Sequence, residues 1–280
     1  VKSSTAVASS GIEGYREYLS ERNGDADLLN RRLAHREAFF AEIEANPIRS
    51  RRSIDAATFE RGMRTRRPAK DISPELAFLL ATAKLNQAER FGVGLGETYG
   101  KNSAGDTLPE RVHMELEEHY HTRLLAYVLD MFGLPFRVRP PAFVTRQFVK
   151  LAVFIPESQS FAFVGASEMA GCAMFDLLGQ AGAALFADEP EVAARIRLLY
   201  GEILTDEIGH VGYCAARCSN AGRGIMRTLY RPIVRLFTRQ TPEILRVVSP
   251  HALDERLSHP FDFADYEGNL ASTPFVVAHP

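Results

Sequence analysis

The chain has no tryptophan and only three cysteines, Cys172, Cys214 and Cys218, none of them in a Cys-x-x-Cys pair. That excludes a disulfide framework and a thiolate metal module, and it points to a reducing compartment, with the cytoplasm as the expectation. Neither charge dominates. Against 35 Asp and Glu stand 33 Lys and Arg, a net charge of −2, so a dedicated nucleic-acid binder is not expected. No uninterrupted run of eighteen apolar residues occurs, so no membrane span is expected. The first ten residues lack the basic-then-apolar layout of a secretory leader. No segment alternates convincingly enough for a strand, and no flavin or iron–sulfur motif is present.

What remains is helix. The 280 residues are 46% hydrophobic and 24% charged, values of a globular chain able to bury a core without disulfides. Charged helical patterning runs from Gly14 to Glu44. Arginines then crowd residues 49–67, namely Arg49, Arg51, Arg52, Arg61, Arg64, Arg66 and Arg67. This stretch reads either as a solvated face or exposed linker, or as a docking surface for an anionic partner such as a phosphopantetheine-bearing acyl or peptidyl carrier protein or a redox protein. Ser73-Pro74-Glu75 opens a helix with an N-cap candidate, a first-turn proline and an acid at the positive end of the helix dipole. Gly92, Gly94 and Gly96 make its continuation past Phe91 uncertain. Further helices are expected at 108–132, closed by Gly133 and Pro135, at 157–186, at 190–218, ended by the Asn220–Gly224 run, and at 224–247. Residues 142–155 read as a short helix or an extended segment, and the tail from His251 has no clear period. The expected organisation is an N-terminal helical, Arg-rich extension (1–72), a four-helix unit (73–220), and a C-terminal helix and tail packed on it (221–280).

Two short runs carry chemistry. Glu118-His119-Tyr120-His121 and Glu207-Ile208-Gly209-His210 are both Glu-x-x-His. Residues three apart share a helix face, so each run presents a carboxylate beside an imidazole. A lone acid precedes each in another apolar helix, Glu89 before the first and Glu168 before the second. Glu97 is a rival to Glu89, and Glu115 and His119 are decoys near the first motif. Intervals of 29, 50 and 39 residues separate Glu89, Glu118, Glu168 and Glu207 in turn. The first and last suit helix hairpins of about 20 Å a side at 1.5 Å per residue. Four carboxylates carry the charge needed to neutralise two divalent cations, which matters because unpaired buried charge is costly. Oxygen and nitrogen ligands of this kind suit iron, manganese or zinc.

The residue before each motif Glu is also acidic, Glu117 and Asp206. A ligating histidine usually donates its second ring N–H to a carboxylate. Asp206 is therefore expected to orient His121, and Glu117 to orient His210, each across to the opposite motif. Small residues around Glu168, namely Gly165, Ala166, Gly171 and Cys172, either leave room for a substrate or gas or let helices pack closely.

The set Glu89, Glu118, His121, Glu168, Glu207 and His210 resembles the ferritin-like di-iron carboxylate superfamily over roughly residues 74–218. Asp206 matches an acid that several members carry before the last motif Glu. The resemblance implies an all-α, ferritin-like four-helix bundle with additional N- and C-terminal helices. It implies two iron ions, with manganese an alternative at one position, and dioxygen as co-substrate. It also implies an external electron donor and a homodimer. Glu168 and Glu207 are the expected flexible or bridging carboxylates. The expected activity is hydroxylation, N-oxygenation or desaturation of a small organic substrate, free or carrier-tethered. The alternative is a metal-handling or iron-storage protein. Leu125 stands where the radical-generating reductase subunit has its tyrosine. Ile203 stands where arylamine N-oxygenases have an extra histidine. Both departures narrow the relatives and leave the substrate open.

Overall fold

A computed structural model describes residues 28–65, 71–102, 109–134 and 157–258. The regular secondary structure of the described residues is all helical, without strands, in accord with the all-α expectation. The helices are α1 (Leu28–Ala45), α2 (Ala56–Arg64), α3 (Pro74–Asn102), α4 (Pro109–Asp130), α5 (Glu157–Leu185), α6 (Pro190–Arg217), α7 (Asn220–Gln240), α8 (Ile244–Val247) and α9 (Pro250–Ser258). Residues 142–155, the first part of the Gly14–Glu44 stretch, Arg66 and Arg67, and His259 onward lie outside the described residues.

Local chemistry sets the helix ends. Ser73 Oγ accepts the Leu76 N–H at 3.2 Å, capping α3 as its sequence predicts. Asp55 caps α2 through the Thr58 N–H at 2.8 Å. The α4 exit runs through Gly133 at φ 65°, where the left-handed conformation favours glycine. There the Leu134 N–H reaches back to the Leu129 carbonyl at 3.2 Å.

Four long helices touch in a closed order: α3 packs on α4, α4 on α6, α6 on α5 and α5 on α3. The α5–α6 contact is the most extensive, and α7 covers the outer side of α5. Their shared interior is apolar, with Phe78, Leu124, Leu125, Met169, Met174, Ile196 and Ile203 all fully buried. About three turns from Glu89 along α3, an aromatic layer closes the interior. Phe78 and Phe132 meet Phe186 with ring centroids 5.9 and 4.8 Å apart, and Tyr200 lies 6.2 Å from both Phe78 and Phe175.

The structure departs from the sequence reading in five places. First, α3 continues through its three glycines to Asn102, because a helical glycine is only weakly disfavoured, by about 1 kcal/mol relative to alanine. Second, Asn220–Gly224 does not merely end α6. Ser219 caps a new helix there, accepting the Gly222 N–H at 3.2 Å, so α7 starts at Asn220. It stops at Gln240, and Ile244–Val247 forms a separate turn. Third, the tail beyond Pro250 opens with a helix, capped by Ser249 through the Ala252 N–H at 3.1 Å. Fourth, Gln159–Leu185 contains an 18-residue window apolar enough for a membrane span, although it holds no unbroken run of eighteen apolar residues. Two-thirds of that window (67%) is buried against its neighbours, as in a core helix.

The fifth departure concerns the arginine-dense stretch, which is not a plain solvated linker. It contains α2, and its five described arginines all meet carboxylates of this chain. Arg49 pairs with Asp130 at 2.6 Å, Arg51 with Glu189, Arg61 with Asp55, and Arg64 with Glu60. Arg52 reaches Glu75, Asp188 and Glu189, and lies over the Phe186 ring at 5.1 Å. Arg49, Arg51, Arg61 and Arg64 nonetheless keep more than half of their side chains in solvent, as a solvated face would, and Arg52 alone is drawn inward, near the start of α6.

Candidate metal centre

Each expected ligand comes from one of the four long helices: Glu89 from α3, Glu118 and His121 from α4, Glu168 from α5, and Glu207 and His210 from α6. The four helices bring all six together. Glu89, Glu118, His121 and Glu207 each offer a ligand atom within 4.8 Å of the others, and so do Glu118, Glu168, Glu207 and His210. The two groups share Glu118 and Glu207. Of the two carboxylates expected to bridge, Glu207 is shared, whereas Glu168 belongs to the His210 group alone.

The imidazoles set the interior of the site. His121 and His210 are fully buried, with ring centroids 5.6 Å apart. His121 Nδ1 lies 3.1 Å from Glu89 Oε2 and 3.2 Å from Glu207 Oε1. His210 Nδ1 lies 3.3 Å from Glu118 Oε1 and 3.7 Å from Glu168 Oε2. The other nitrogens point outward to the flanking acids, each on the opposite motif. His121 Nε2 is 3.2 Å from Asp206 Oδ2, and His210 Nε2 is 3.1 Å from Glu117 Oε2. Glu117 and Asp206 are both fully buried. Helix periodicity produces this crossing: Glu117 and Asp206 each sit four residues before the histidine of their own helix, so they share its inward side yet lie one turn away.

Crowded acids in a dry site shift one another. Burial, together with the nearby Glu118 and Glu168 charges, pushes Glu89 up to about 7. Burial and the Glu168 charge push Glu207 well above the usual carboxylate range. Glu118 goes the other way. Burial would raise it, but the His210 contact and both imidazole charges hold it below its ordinary value. Burial would lower both histidines, yet their carboxylate partners raise them well above the ordinary value. These are Asp206, Glu207 and Glu89 for His121, and Glu117, Glu118 and Glu168 for His210. The cluster therefore retains protons that a cation can replace.

The donor set fits a pair of divalent ions. Glu207 Oε2 and His210 Nδ1 are buried with no hydrogen-bond partner, an arrangement that is costly for a buried polar atom unless something else satisfies it. Both belong to residues of these two groups. A Cβ at Gly171 would stand 3.0 Å from Glu207 Oε2, so this glycine makes the room that carboxylate occupies. Gly165 serves packing instead, since a Cβ there would stand 2.3 Å from Met226 Cε and 2.8 Å from Cys214 Cβ. Close packing thus accounts for Gly165, and the room at Gly171 is taken by the Glu207 carboxylate.

The remaining candidates fall away from the cluster. His119 is exposed and meets Arg90. Glu115 belongs to neither group, and the Glu97 side chain is outside the described residues. Leu125 and Ile203 are buried apolar residues of the core. Cys172 is buried, and burial followed by the Glu207 and Glu168 charges pushes its thiol well up, as suits an inert packing thiol. Glu89 and Glu168 keep the most exposure of the six, 14% of each side chain. The centre is therefore closest to solvent on the α3–α5 side.

Three participants escaped the sequence reading. Arg36 of α1 is fully buried and donates from Nη1 to Glu202 Oε2 and from Nη2 to Asp206 Oδ2, both at 2.8 Å. Asn86, one turn before Glu89, donates to the Thr122 carbonyl at 2.7 Å and fastens α3 to α4 beside His121. The signal for Arg36 was present: it lies on the same helical stripe as the buried Phe40 and Ile43, four and seven residues on, where a charge is out of place. Glu202 repeats that signal, four residues before Asp206.

Comparison with family models, with curated proteins and with solved structures gives no match.

Proposed function

We propose that this chain is an oxygen-dependent non-haem di-iron oxidoreductase built on a ferritin-like four-helix bundle. It would hydroxylate, N-oxygenate or desaturate a small organic substrate with electrons from a separate donor. The observation that carries this reading is the pair of buried ligand groups sharing Glu118 and Glu207. Sharing two carboxylates between adjacent cation positions is what a paired centre needs and two independent sites do not. The closed order of α3, α4, α6 and α5 supports the fold assignment.

Glu89, Glu118, His121 and Glu207 would hold one ion, and Glu118, Glu168, Glu207 and His210 the other. A bound pair would supply dioxygen binding and two-electron redox chemistry, which no side chain of the cluster provides. The residues do the rest. Four carboxylates offset four positive charges in a dry site. Asp206 and Glu117 aim the imidazoles. Glu89 and Glu168, on the solvent-nearest side, are placed to shift as small molecules arrive. The apolar packing around Leu125 and Ile203 keeps water from the opposite flank.

The test is anaerobic loading of the full chain with Fe(II), then exposure to oxygen under optical observation. Two irons per chain and a transient visible band that decays without mineral growth are expected. Continued iron uptake well beyond two per chain, with no transient, would replace this reading with iron storage.

A further inference from the structure

We propose that Arg36, on α1 outside the four-helix set, is a positioning residue of the His121 half of the centre. Through Asp206 it fixes the imidazole tautomer that leaves Nδ1 for a metal ion. The inference rests on the metal-centre reading above.

Arginine is almost never fully buried unless paired, and Arg36 is fully buried. Its guanidinium forks two acids one turn apart on α6, Glu202 and Asp206, at 2.8 Å each. Such a planar fork sets direction as well as charge. The rings of Phe39 and Tyr120 hold it in place, 5.8 and 5.4 Å from its central carbon. Tyr120 is the residue immediately before His121, so the clamp acts on both helices of the histidine's hydrogen bond.

One oxygen joins the two halves of this chain. Asp206 Oδ2 receives the Arg36 Nη2–H and also lies against His121 Nε2. With Arg36 fixing it, that oxygen acts as an acceptor toward the imidazole. His121 then carries its proton on Nε2 and turns Nδ1 toward Glu89 and Glu207. The wrong tautomer would place a proton on the nitrogen that must bind the ion. The four ligand carboxylates are matched by two divalent ions, whereas Asp206 and Glu202 lie behind them, and Arg36 supplies positive charge there. Helix α1 thus belongs to the centre although it supplies no ligand.

The role is separated from simple anchoring by single-site backgrounds of the full chain. Glu168→Ala removes a ligand of the His210 group alone, and Glu89→Ala a ligand of the His121 group alone. In Co(II) titrations, adding Arg36→Met should weaken binding about 10- to 100-fold in the Glu168→Ala background. It should leave binding unchanged in the Glu89→Ala background. Arg36→Lys keeps a charge but cannot fork both acids, and should recover part of the loss.

In Zn(II)-loaded wild type, nitrogen–proton correlation spectra should place the His121 proton on Nε2 in slow exchange. Wild type that binds no Co(II) overturns the metal-centre reading and this role with it. Wild type that binds two, with equal losses in both backgrounds or none, overturns the Arg36 role alone. If Arg36→Met does not fold, the lysine variant and the wild-type spectrum decide. A His121 Nε2 without a proton in the Zn(II) form overturns the proposal.

Discussion

Asp206 and His121 lie on different long helices, 85 positions apart, and their Oδ2 and Nε2 atoms stand 3.2 Å from each other. The contact runs across α4 and α6, each of which carries the flanking acid for the other's histidine. Neither helix can build its half of the centre alone. The arrangement therefore makes ligand geometry depend on the α4–α6 packing rather than on either motif.

Asp206→Asn is the direct test of that contact. An amide can turn its NH2 toward Nε2, which favours a proton on Nδ1, the nitrogen facing Glu89 and Glu207. One of the two acids that receive Arg36 is lost as well. Divalent metal affinity should fall about 10- to 100-fold, the usual range for outer partners of ligating histidines. Isothermal titration with Co(II) or Mn(II) would read it. An unchanged affinity would mean that the contact is incidental.

Shared and unshared ligands should behave differently. Glu89 belongs to one group, Glu168 to the other, and Glu118 and Glu207 to both. Alanine at Glu89 or Glu168 should reduce stoichiometry from two ions per chain to one. Alanine at Glu118 or Glu207 should weaken both positions together. Metal content by elemental analysis after desalting distinguishes these patterns. Loss of both ions on Glu168→Ala, with Glu118→Ala retaining one, would contradict the assignment of shared carboxylates.

The glycines of α5 divide by the same logic. Gly165→Ala would drive a methyl into Met226 and Cys214. Overpacking costs about 1–3 kcal/mol, only partly offset by the roughly 1 kcal/mol gain in helix propensity. Thermal stability should fall without a specific effect on metal affinity. Gly171→Ala would meet Glu207 Oε2 at 3.0 Å, a side-chain tip that can move. Stability should hold or rise there while metal affinity falls. Melting curves and Co(II) titrations of the two variants should show opposite patterns, and a reversed assignment would refute the separate roles of these glycines.

Much of this was legible in the sequence because it is local. Motif spacing, caps at Ser73 and Gly133, and apolar periodicity all lie within a few turns of one helix. The four motif ligands could be named for that reason, whereas Glu89 and Glu168 were named as lone acids at hairpin intervals from them. The contacts of Asp206 and Glu117 could be expected because an acid precedes each motif Glu and a ligating histidine usually donates its second ring N–H to a carboxylate. Arg36 was missed because its role depends on where α1 docks, and no local pattern encodes that. The arginine-dense stretch was legible as a solvated face, but its ion-pair partners were not, for a similar reason. The carboxylates that receive Arg49 and Arg52 are distant in sequence, at Asp130, Asp188 and Glu75. Glu118 as a shared carboxylate also required the structure, since spacing gives the helix face and not the distance between faces.

The last prediction concerns pH. Metal-free protein should lose stability as pH rises from about 5 to 8, and metal should reverse the trend. The sign follows from which state binds more protons. Glu89 has an ordinary value near 4.5 and is pushed up to about 7 by burial and its acidic neighbours, and Glu207 is also raised. Between those values the folded state holds protons that the unfolded chain has released, so raising the pH through the window favours unfolding. His121 and His210 act in the same direction. Their raised values contribute stability that is fully present below the unfolded value near 6.5 and is lost as pH rises toward the folded value. Glu118 acts oppositely, but its lowered value places its effect below pH 4.5, outside the window. A divalent ion displaces these protons, so binding should release them and strengthen as pH rises. Because ligand binding to the folded state adds to its stability, the melting temperature gained on adding Mn(II) or Co(II) should grow from pH 5.5 to pH 7.5. Melting curves across this range, with and without metal, test both halves. A metal-free melting temperature that climbs with pH, beside a metal increment that shrinks, would show that the cluster does not hold exchangeable protons at neutral pH.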